Sequence, residues 1–407
     1  MKSDTVVMVG ASLAGGRAAE ALRRGGHEGR IVLIGADPHR PYDRPPLSKK
    51  YLRGQLPEGK LYLRAGDFYE AQRVELITGV RAVGLSTTAR EVALEDGRAV
   101  AFDRLLIATG ADVRTLSCEG ASLEGVHYLR SLDDSDALRA RLAPGKRVVV
   151  IGAGVIGAEV AAACRQEGLE VVALEAQETP LVRAFGPAVG ALYAEEHRAR
   201  GVDLRCGVAV RALHGAGRVE EVELTSGERI GCDFVVVGIG VSPAVSWLAG
   251  SGVAIEGGVL TDDRCRTNVP GIYAAGDVAR TWSGALDRHV CVESIDNAQT
   301  QAIAVAQNLL GNDTAHAAVP FFWSDQYDLR LQSVGHVTDF DQIVFRGSVE
   351  DRKFAAFHLA KGTLRFTVAV NRLKEIGISK KLIASGVEVP AVALADESFN
   401  LASLAAP

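Results

Sequence analysis

Two closely similar glycine-rich runs occur in this sequence, and the duplication constrains the fold more than any other feature. Residues 6–17 read VVMVGASLAGGR and residues 148–159 read VVVIGAGVIGAE. Each run follows a β-branched stretch and leads into an Ala-rich segment, the strand–turn–helix arrangement in which backbone N–H groups bind a pyrophosphate. A chain that binds one dinucleotide needs one such run, so we predict two dinucleotide-binding units.

The second run has all three glycines of the dinucleotide motif. Gly152, Gly154 and Gly157 stand where the motif needs a tight turn, an approaching pyrophosphate and close helix packing. Glu175 ends the next strand, 23 residues after Gly152, where a carboxylate accepts hydrogen bonds from ribose hydroxyls. Because this carboxylate would repel a 2′-phosphate, the pattern predicts NADH rather than NADPH, with Arg183 as the nearby cation that weakens the preference.

The first run has Gly10 and Gly15 but carries Ser12 at the middle position. Serine is small enough to let a phosphate approach the backbone, and its hydroxyl can donate a hydrogen bond. Asp37 ends the following strand, RIVLIGAD, at a spacing suited to a ribose. The motif is incomplete, so the prediction of a nucleotide site here depends on further segments.

Three segments support the first site because each places turn or charged residues where a cofactor can approach the backbone. Each alone is equally well explained as an ordinary turn, but their joint occurrence in this order favours a second dinucleotide. They are DRLLIATGA (103–111) with Ala108, Thr109 and Gly110, TNVPGIYAAGDVA (267–279) with Gly276 and Asp277, and PYDRPPLSKKYL (41–52) with Arg44 and Lys49.

The order of strands and helices predicts an α/β fold class. Continuous apolar strands such as VVMVG, IVLIG, VVVIG and FVVVGIG alternate with helical stretches, which indicates parallel sheets covered on both faces. In each half a polar strand–turn–strand unit, with an Asp-Gly or Ser-Gly turn, leads back into a buried strand. After Val319 alternating strands and a helical segment predict a third, α+β unit. We therefore expect two Rossmann-like dinucleotide-binding domains and a C-terminal α+β domain.

Composition excludes several classes of function. The formal net charge of −5 argues against a nucleic-acid or anionic-membrane partner. No apolar run approaches the roughly 18 residues of a membrane span, and the start MKSDTVVMVG lacks the features of a secretory signal, so we expect a cytoplasmic protein. The six cysteines are scattered without a C-x-x-C pair, which argues against a metal site and a redox disulfide.

Eight segments together resemble one known family. They are GASLAG, PYDRPPLSK, LLIATGA, YLRSLDD, VVVIGAGVIGAEVA, YAAGDVA, VESIDNAQTQ and VPFFWSDQYDLRLQSVG. Over essentially its whole length the chain resembles the NADH-dependent ferredoxin reductases of bacterial oxygenase systems. The resemblance implies the glutathione-reductase type of fold, with an FAD-binding domain at 1–112 and 244–318, an NAD-binding domain at 113–243 and a C-terminal interface domain at 319–407.

The resemblance, with the motifs above, implies which residues hold the two cofactors. The first run would hold FAD and the second NADH, so that the two redox rings can stack. The residues expected at FAD are Gly10, Ser12, Ala14, Gly15, Asp37, Arg44, Lys49, Ala82 (through its backbone), Ala108, Thr109, Gly110, Arg130, Asp277, Glu293, Ile295 and Trp323. Those expected at NAD are Gly152, Gly154, Val155, Ile156, Gly157, Glu159, Glu175, Arg183 and Gly240.

By the same resemblance, Lys49 and Glu159 form the catalytic pair, and the lysine stabilises the negative charge of the reduced flavin. The alternative is that Glu159 complements its helix N-terminus and Lys49 is solvated. Trp323 would lie by the flavin or belong to the core. Electrons would pass to a 2Fe–2S ferredoxin that docks transiently through electrostatic attraction. Arg64 is a docking candidate, or simply a solvated arginine.

The ferredoxin would in turn feed an oxygenase, either a cytochrome P-450 type monooxygenase or a Rieske dioxygenase. Two alternative functions also stay open. The first is an NADH oxidase, peroxide reductase or disulfide reductase on the same fold, which needs a cysteine beside the flavin. The segment PYDRPPLSKK holds none, and Cys164 lies on the NAD-domain helix. The second is a redox-dependent interaction protein resembling apoptosis-inducing factor.

Overall fold

The computed structural model describes residues 3–336 and 340–405. The contacts within the chain divide it into two compact units. The first unit contains the chain up to Arg44, Pro57–Asp112 and Val241–Ala318. The second contains Pro45–Leu56, Val113–Gly240 and the chain from Val319 onwards. The three-domain division expected from the sequence stays a prediction.

The first unit is built on a parallel sheet with the strand order β19–β7–β1–β2–β3. Its strands are β-branched and apolar, and those at its centre are buried on both faces because helices and hairpins cover them. Helices α1 and α6 pack together on one of these faces. The elements are β1 (Val6–Val9), α1 (Leu13–Arg24), β2 (Ile31–Ile34), β3 (Val74–Ile77), β7 (Arg104–Ile107), β19 (Ile272–Ala274) and α6 (Ile295–Leu309).

The second unit repeats this plan with the strand order β12–β11–β10–β16–β9. Helix α5 has a break inside it at Gly186, which is followed by Pro187. The elements are β9 (Val126–Tyr128), α3 (Leu132–Arg139), β10 (Arg147–Ile151), α4 (Val155–Gln166), β11 (Glu170–Glu175), α5 (Val182–Ala199), β12 (Val202–Cys206) and β16 (Phe234–Val237).

Each parallel sheet is accompanied by an antiparallel three-stranded sheet that leads back into it. The predicted turns are present at Gly97 and Gly227, which have φ of +85° and +88°. The prediction of a repeated strand–turn–strand unit is therefore confirmed. These strands are β4 (Ala82–Ser86), β5 (Glu91–Leu94) and β6 (Ala99–Ala101) in the first unit, and β13 (Val210–His214), β14 (Glu221–Leu224) and β15 (Arg229–Gly231) in the second.

The segment after Val319 forms an antiparallel sheet with the order β22–β23–β26–β25–β24, and α7 packs on it. This confirms the predicted α+β unit, and with it the predicted α/β fold class with two Rossmann-like units. The elements are β22 (Phe321–Gln326), β23 (Leu329–Gly335), β24 (Gln342–Ser348), β25 (Lys353–Ala360), β26 (Thr363–Val370), α7 (Leu373–Ser385) and α8 (Ala391–Ala395).

Short elements complete the chain. Strands β18, β20 and β21 form a small sheet, and β8 pairs with β17. Their bounds are α2 (Phe68–Ala71), β8 (Ala111–Val113), β17 (Val241–Pro243), β18 (Val259–Thr261), β20 (Ala279–Ser283) and β21 (Arg288–Val290), with 3₁₀ helices at Pro45–Ser48, Glu58–Lys60, Ser246–Leu248 and Leu401–Ala405.

Residues 45–56 belong to the second unit because their side chains pack on its sheet and helices. Leu52 is fully buried in the core formed by β10, α4 and β11. The Tyr51 hydroxyl donates to the Asp136 carboxylate at 2.8 Å, and Arg53 forms an ion pair with Glu167 at 2.7 Å. The proline-rich segment thus changes unit between Arg44 and Pro45.

Candidate functional site

The first glycine turn joins β1 to α1 under tight steric constraint. Gly10 has a φ of +123°, and a Cβ at this residue would lie 2.0 Å from the carbonyl oxygen of Ala108. A Cβ at Gly15 would lie 2.2 Å from the carbonyl oxygen of Gly10. Both positions therefore require glycine, and they bring the start of α1 close to the ends of β1 and β7.

Ser12 is the N-cap residue of α1, yet its side chain makes no capping hydrogen bond. Instead, Arg44 Nε donates to Ser12 Oγ at 3.3 Å. Arg44 Nη2 also lies 4.0 Å from Asp37 Oδ2, which accepts a 2.7 Å hydrogen bond from the Tyr42 hydroxyl. A helix N-terminus, a hydroxyl and a guanidinium therefore surround the turn, and a carboxylate lies beside them. This set fits the pyrophosphate and ribose of a dinucleotide.

The carboxyl ends of β1, β7 and β19 lie at one edge of the sheet because the three strands are parallel neighbours. Thr109 Oγ1 donates to the carbonyl oxygen of Ala244 at 2.8 Å, which fixes the turn that contains Gly110. Gly276, with a φ of +80°, precedes Asp277 at the corresponding end of β19. The structure thus brings the predicted segments 108–110 and 276–277 to the edge that carries the first glycine turn.

Four other predicted FAD residues also lie in the first unit. Ala14 is in the first turn of α1, and a Cβ at Gly276 would approach its Cβ to 3.5 Å. Ala82 begins β4, next to an irregularity in its pairing with β5. Ile295 begins α6, and Glu293 precedes the N-cap of that helix.

Arg130, Lys49 and Trp323 are the predicted FAD residues that the structure places in the second unit. The backbone N–H of Arg130 donates to the Asp134 carboxylate at 3.0 Å, just before α3. Trp323 lies on β22, is partly buried, and stacks on Phe321 with ring centroids 5.8 Å apart.

The second glycine turn joins β10 to α4 under the same constraint as the first. A Cβ at Gly152, which has a φ of +93°, would lie 2.4 Å from the carbonyl oxygen of Gly238. A Cβ at Gly157 would lie 1.9 Å from the carbonyl oxygen of Gly152. Gly154 differs, because a Cβ there would meet no atom of the described residues within 4 Å. The open space at this helix start suits a pyrophosphate. Gly238 was not singled out from the sequence.

Glu175 holds the second turn in place from the end of β11. Its carboxylate accepts from the backbone N–H of Ala153 at 2.7 Å and from that of Gln177 at 2.9 Å. Each oxygen keeps a second lone pair, so the carboxylate can still accept from a ribose. Arg183 is an exposed residue in the first turn of α5.

The remaining predicted NAD residues surround the same turn. Val155 begins α4. Ile156 follows it and leaves 45% of its surface exposed. Gly240 has a φ of +104°, and its carbonyl oxygen accepts from the backbone N–H of Arg114 at 2.9 Å.

Lys49 and Glu159 form a buried ion pair in the second unit. Lys49 Nζ lies 2.6 Å from Glu159 Oε2, and the two side chains are 17% and 1% exposed. The same oxygen accepts from Ser48 Oγ at 2.5 Å, and Ser324 Oγ donates to Oε1 at 2.7 Å. Three donors from the 45–56 segment and β22 thus satisfy this carboxylate, which burial would otherwise disfavour. The alternative of a solvated Lys49 does not hold.

The cysteines lack the features of a reactive thiol pair. All six are free, with no disulfide among the described residues. Burial raises the pKa of the Cys164 thiol to about 12, so it stays protonated and weakly nucleophilic at neutral pH. Among residues 3–336 and 340–405, no group of three or more His, Cys, Asp or Glu side chains could hold a metal ion. No helix in this part of the chain is long and apolar enough to cross a membrane.

Known proteins and family models match this chain over nearly its whole length. The pyridine nucleotide-disulphide oxidoreductase family model matches residues 4–302, and the reductase C-terminal model matches residues 321–405. Putidaredoxin reductase CamA of Pseudomonas putida is 37% identical over 99% of this chain and 97% of its own length.

Two further comparisons cover nearly the whole chain. The ferredoxin–NAD(+) reductase component of the anthranilate 1,2-dioxygenase system of Burkholderia cepacia is 40% identical over 98% of this chain and 99% of its own length. The crystal structure of the covalent putidaredoxin reductase–putidaredoxin complex superposes with a TM-score of 0.96 at 37% identity, and the match covers 98% of both chains. The resemblance that the motifs indicated is confirmed.

Proposed function

Because the chain belongs to the pyridine nucleotide-disulphide oxidoreductase family, we propose that it is an FAD-containing NADH:ferredoxin reductase. It takes electrons from NADH and passes them through FAD to a 2Fe–2S ferredoxin. The ferredoxin feeds a cytochrome P-450 type monooxygenase or a Rieske dioxygenase, and the similarity to a putidaredoxin reductase and to the reductase component of a dioxygenase system supports this part of the proposal. The observation that carries the proposal is the pair of sterically constrained glycine turns, each with a carboxylate close to the end of the next strand. Glu175 is the last residue of β11, whereas Asp37 lies in the bend after β2, which ends at Ile34 and not at Asp37 as the sequence predicted.

The first turn is the proposed FAD site. Arg44 and the N-terminus of α1 hold the pyrophosphate, and Asp37 binds the adenosine ribose. Asp277 binds the sugar alcohol of the flavin half. The further proposed contacts are those of Gly10, Ser12, Ala14, Gly15, Lys49, Ala82, Ala108, Thr109, Gly110, Arg130, Glu293, Ile295 and Trp323.

The second turn is the proposed NADH site. The open space at Gly154 receives the pyrophosphate, and Glu175 accepts from the adenosine ribose. The negative charge of Glu175 disfavours a 2′-phosphate, with Arg183 as the nearby compensating cation. The further contacts are those of Gly152, Val155, Ile156, Gly157, Glu159 and Gly240.

The bound flavin would supply the redox chemistry, accepting a hydride and giving up single electrons. The role of Lys49 is to place a positive charge near the negative charge that the flavin gains. At 4 Å such an attraction is worth about 4 kcal/mol at an effective dielectric constant near 20, before desolvation is subtracted. Glu159 holds the ammonium group in one position through the 2.6 Å ion pair.

The proposal also includes a residue at which the ferredoxin docks and the cellular compartment in which the protein acts. Arg64 is the proposed docking residue, and it donates to the buried carboxylate of Glu20 at 2.7 Å with 35% of its side chain exposed. A cytoplasmic site of action is supported by six free thiols.

Stopped-flow absorbance with three acceptors tests the proposal. We expect NADH to bleach the flavin rapidly, and a 2Fe–2S ferredoxin to reoxidise it much faster than oxygen or peroxide does. Rapid turnover with oxygen or peroxide alone would instead identify an oxidase or peroxide reductase. A reduced protein that reacts slowly with every acceptor would favour a redox-dependent interaction protein.

A further inference from the structure

A continuous chain of hydrogen bonds runs through the second unit from Tyr327 to Glu159. The Tyr327 hydroxyl lies 3.1 Å from His197 Nδ1, and His197 Nε2 lies 2.9 Å from Gln326 Oε1. Gln326 Nε2 then donates to Ser324 Oγ at 3.2 Å, and Ser324 Oγ donates to Glu159 Oε1 at 2.7 Å. The chain thus joins α5 and β22 to the carboxylate that holds Lys49.

The ionised carboxylate sets the direction of every bond in this chain. Glu159 can only accept, so Ser324 must donate its hydroxyl proton and receive a bond from the Gln326 amide. The carbonyl oxygen of Gln326 is then left to accept from His197, which places the imidazole proton on Nε2. His197 Nδ1 must accept from the Tyr327 hydroxyl. A single tautomer therefore satisfies all five groups.

The burial of these side chains agrees with the donor and acceptor roles that the chain requires. Ser324, Gln326 and His197 are 0%, 1% and 2% exposed. Burial lowers the pKa of His197, so the ring stays neutral and keeps one donor and one acceptor. Burial raises the pKa of Tyr327, so its hydroxyl stays protonated. The other ionisable groups that face the chain are Glu196 and Arg200 at His197, Arg165 and Cys164 at Tyr327, and Lys49 and Tyr193 at Glu159.

We propose that His197, acting through Gln326 and Ser324, is a positioning residue for the Lys49–Glu159 pair. The inference rests on the proposed function, in which this pair acts on the flavin. Aligned donors polarise one another in a low-dielectric interior, and the last donor in the chain stabilises the ionised carboxylate. The chain therefore holds the Glu159 carboxylate in one orientation, and Lys49 with it.

The tautomer of His197 tests the inference without reference to catalysis. Selective ¹⁵N-histidine labelling of the purified protein gives signals from nine histidines, and the signal missing from His197→Phe identifies this residue. At pH 7 we expect a neutral ring protonated on Nε2. A ring protonated on Nδ1, or on both nitrogens, would overturn the inference whether or not the protein reduces a ferredoxin.

Kinetics of flavin reduction supply the second readout. We expect Gln326→Met to slow flavin reduction at saturating NADH about tenfold, because it removes the donor to Ser324 and so loosens the hydroxyl that holds the Glu159 carboxylate. The dissociation constant of NADH should stay unchanged. His358→Phe is the matched control, because His358 is also a buried histidine of this unit but takes no part in the chain.

The two readouts separate the inference from the proposed function. If wild-type protein reduces a ferredoxin but Gln326→Met reduces its flavin at the wild-type rate, the positioning role is wrong and the function stands. If wild-type protein lacks flavin reduction altogether, the function is wrong, and the tautomer still reports whether the chain is aligned.

Discussion

At the scale of single residues, the buried carboxylate of Glu159 depends on its partners. Its oxygens accept hydrogen bonds from Lys49 Nζ, Ser48 Oγ and Ser324 Oγ, all at 2.7 Å or less. Removing the cation from such a site costs more than removing both charges, because it leaves a buried charge without compensation. The ion pair therefore contributes to stability in a way that a double-mutant comparison can measure.

Lys49→Met is expected to lower the free energy of unfolding by about 3 kcal/mol, since it leaves Glu159 unpaired. The double variant Lys49→Met/Glu159→Gln should regain most of that loss. Urea unfolding of both variants and the wild type measures the difference. Equal stability of the single and double variants would mean that the two side chains do not interact.

Glu175→Gln is expected to weaken the preference for NADH over NADPH. The substitution removes the charge that repels a 2′-phosphate, so the ratio of kcat/KM for the two nucleotides should fall about tenfold, or ~1.4 kcal/mol. Steady-state assays with both nucleotides measure it. Glu178→Gln removes the same charge from an exposed side chain nearby and should leave the ratio unchanged. Equal ratios in both variants would contradict the role of Glu175.

At the scale of elements, the second glycine turn combines a position that has room for a side chain with one that has none. Gly157 packs against the carbonyl oxygen of Gly152, whereas Gly154 faces open space at the start of α4. The first kind of position serves the packing of helix on strand, and the second serves the ligand. The two roles can be separated by adding one methyl group at each position.

Gly154→Ala should fold normally and raise the dissociation constant of NADH about tenfold, because the methyl group occupies the space of the pyrophosphate. Gly157→Ala should instead destabilise the fold by about 1–3 kcal/mol, because its Cβ meets a backbone oxygen. Thermal melts and NADH titrations of both variants measure these effects. Unchanged NADH binding in a folded Gly154→Ala protein would place the nucleotide elsewhere.

The sequence alone predicted features that depend on local spacing. The two turns, the Asp-Gly and Ser-Gly hairpins and the C-terminal sheet follow from periodicity over short stretches. The hydrogen bonds of Ser324 and His197 could not be predicted because their partners are distant in sequence, and a single serine or histidine shows no periodic pattern. The pair of Lys49 and Glu159 was expected only through the family resemblance. The one available signal for Ser48 and Ser324 was their place in the family segments PPLSK and WSDQY.

At the scale of the whole molecule, one structural plan occurs twice. In each unit a strand, a glycine turn and a helix are followed by an antiparallel three-stranded sheet that returns to the parallel sheet. The first parallel sheet is completed by β19, which comes much later in the chain. Sequence periodicity identified both copies, whereas the placement of 45–56 with the second unit depends on side-chain packing that no local pattern records.

Several buried and half-buried histidines are expected to make the stability of the molecule depend on pH. Burial lowers their pKa values in the folded state, so below about pH 6.5 the unfolded chain binds more protons than the folded one. The free energy of unfolding should therefore fall as pH drops from 7 to 5.5, by up to about 1.4 kcal/mol per pH unit for each such histidine. These histidines are His27, His127, His197, His316 and His358.

Urea unfolding at a series of pH values measures this dependence. His358→Phe should reduce the slope, since it removes one of these groups. A free energy of unfolding that stays constant from pH 7 to 5.5 would show that the histidines titrate equally in both states.

We propose that one chain binds two dinucleotides, FAD at the first turn and NADH at the second, and this proposal can be tested on the whole molecule. Its most direct test is an anaerobic titration of the purified protein with NADH, after the FAD content per chain has been determined. We expect one FAD per chain and complete bleaching of the flavin by one equivalent of NADH. A colourless protein that takes up no added FAD would contradict it.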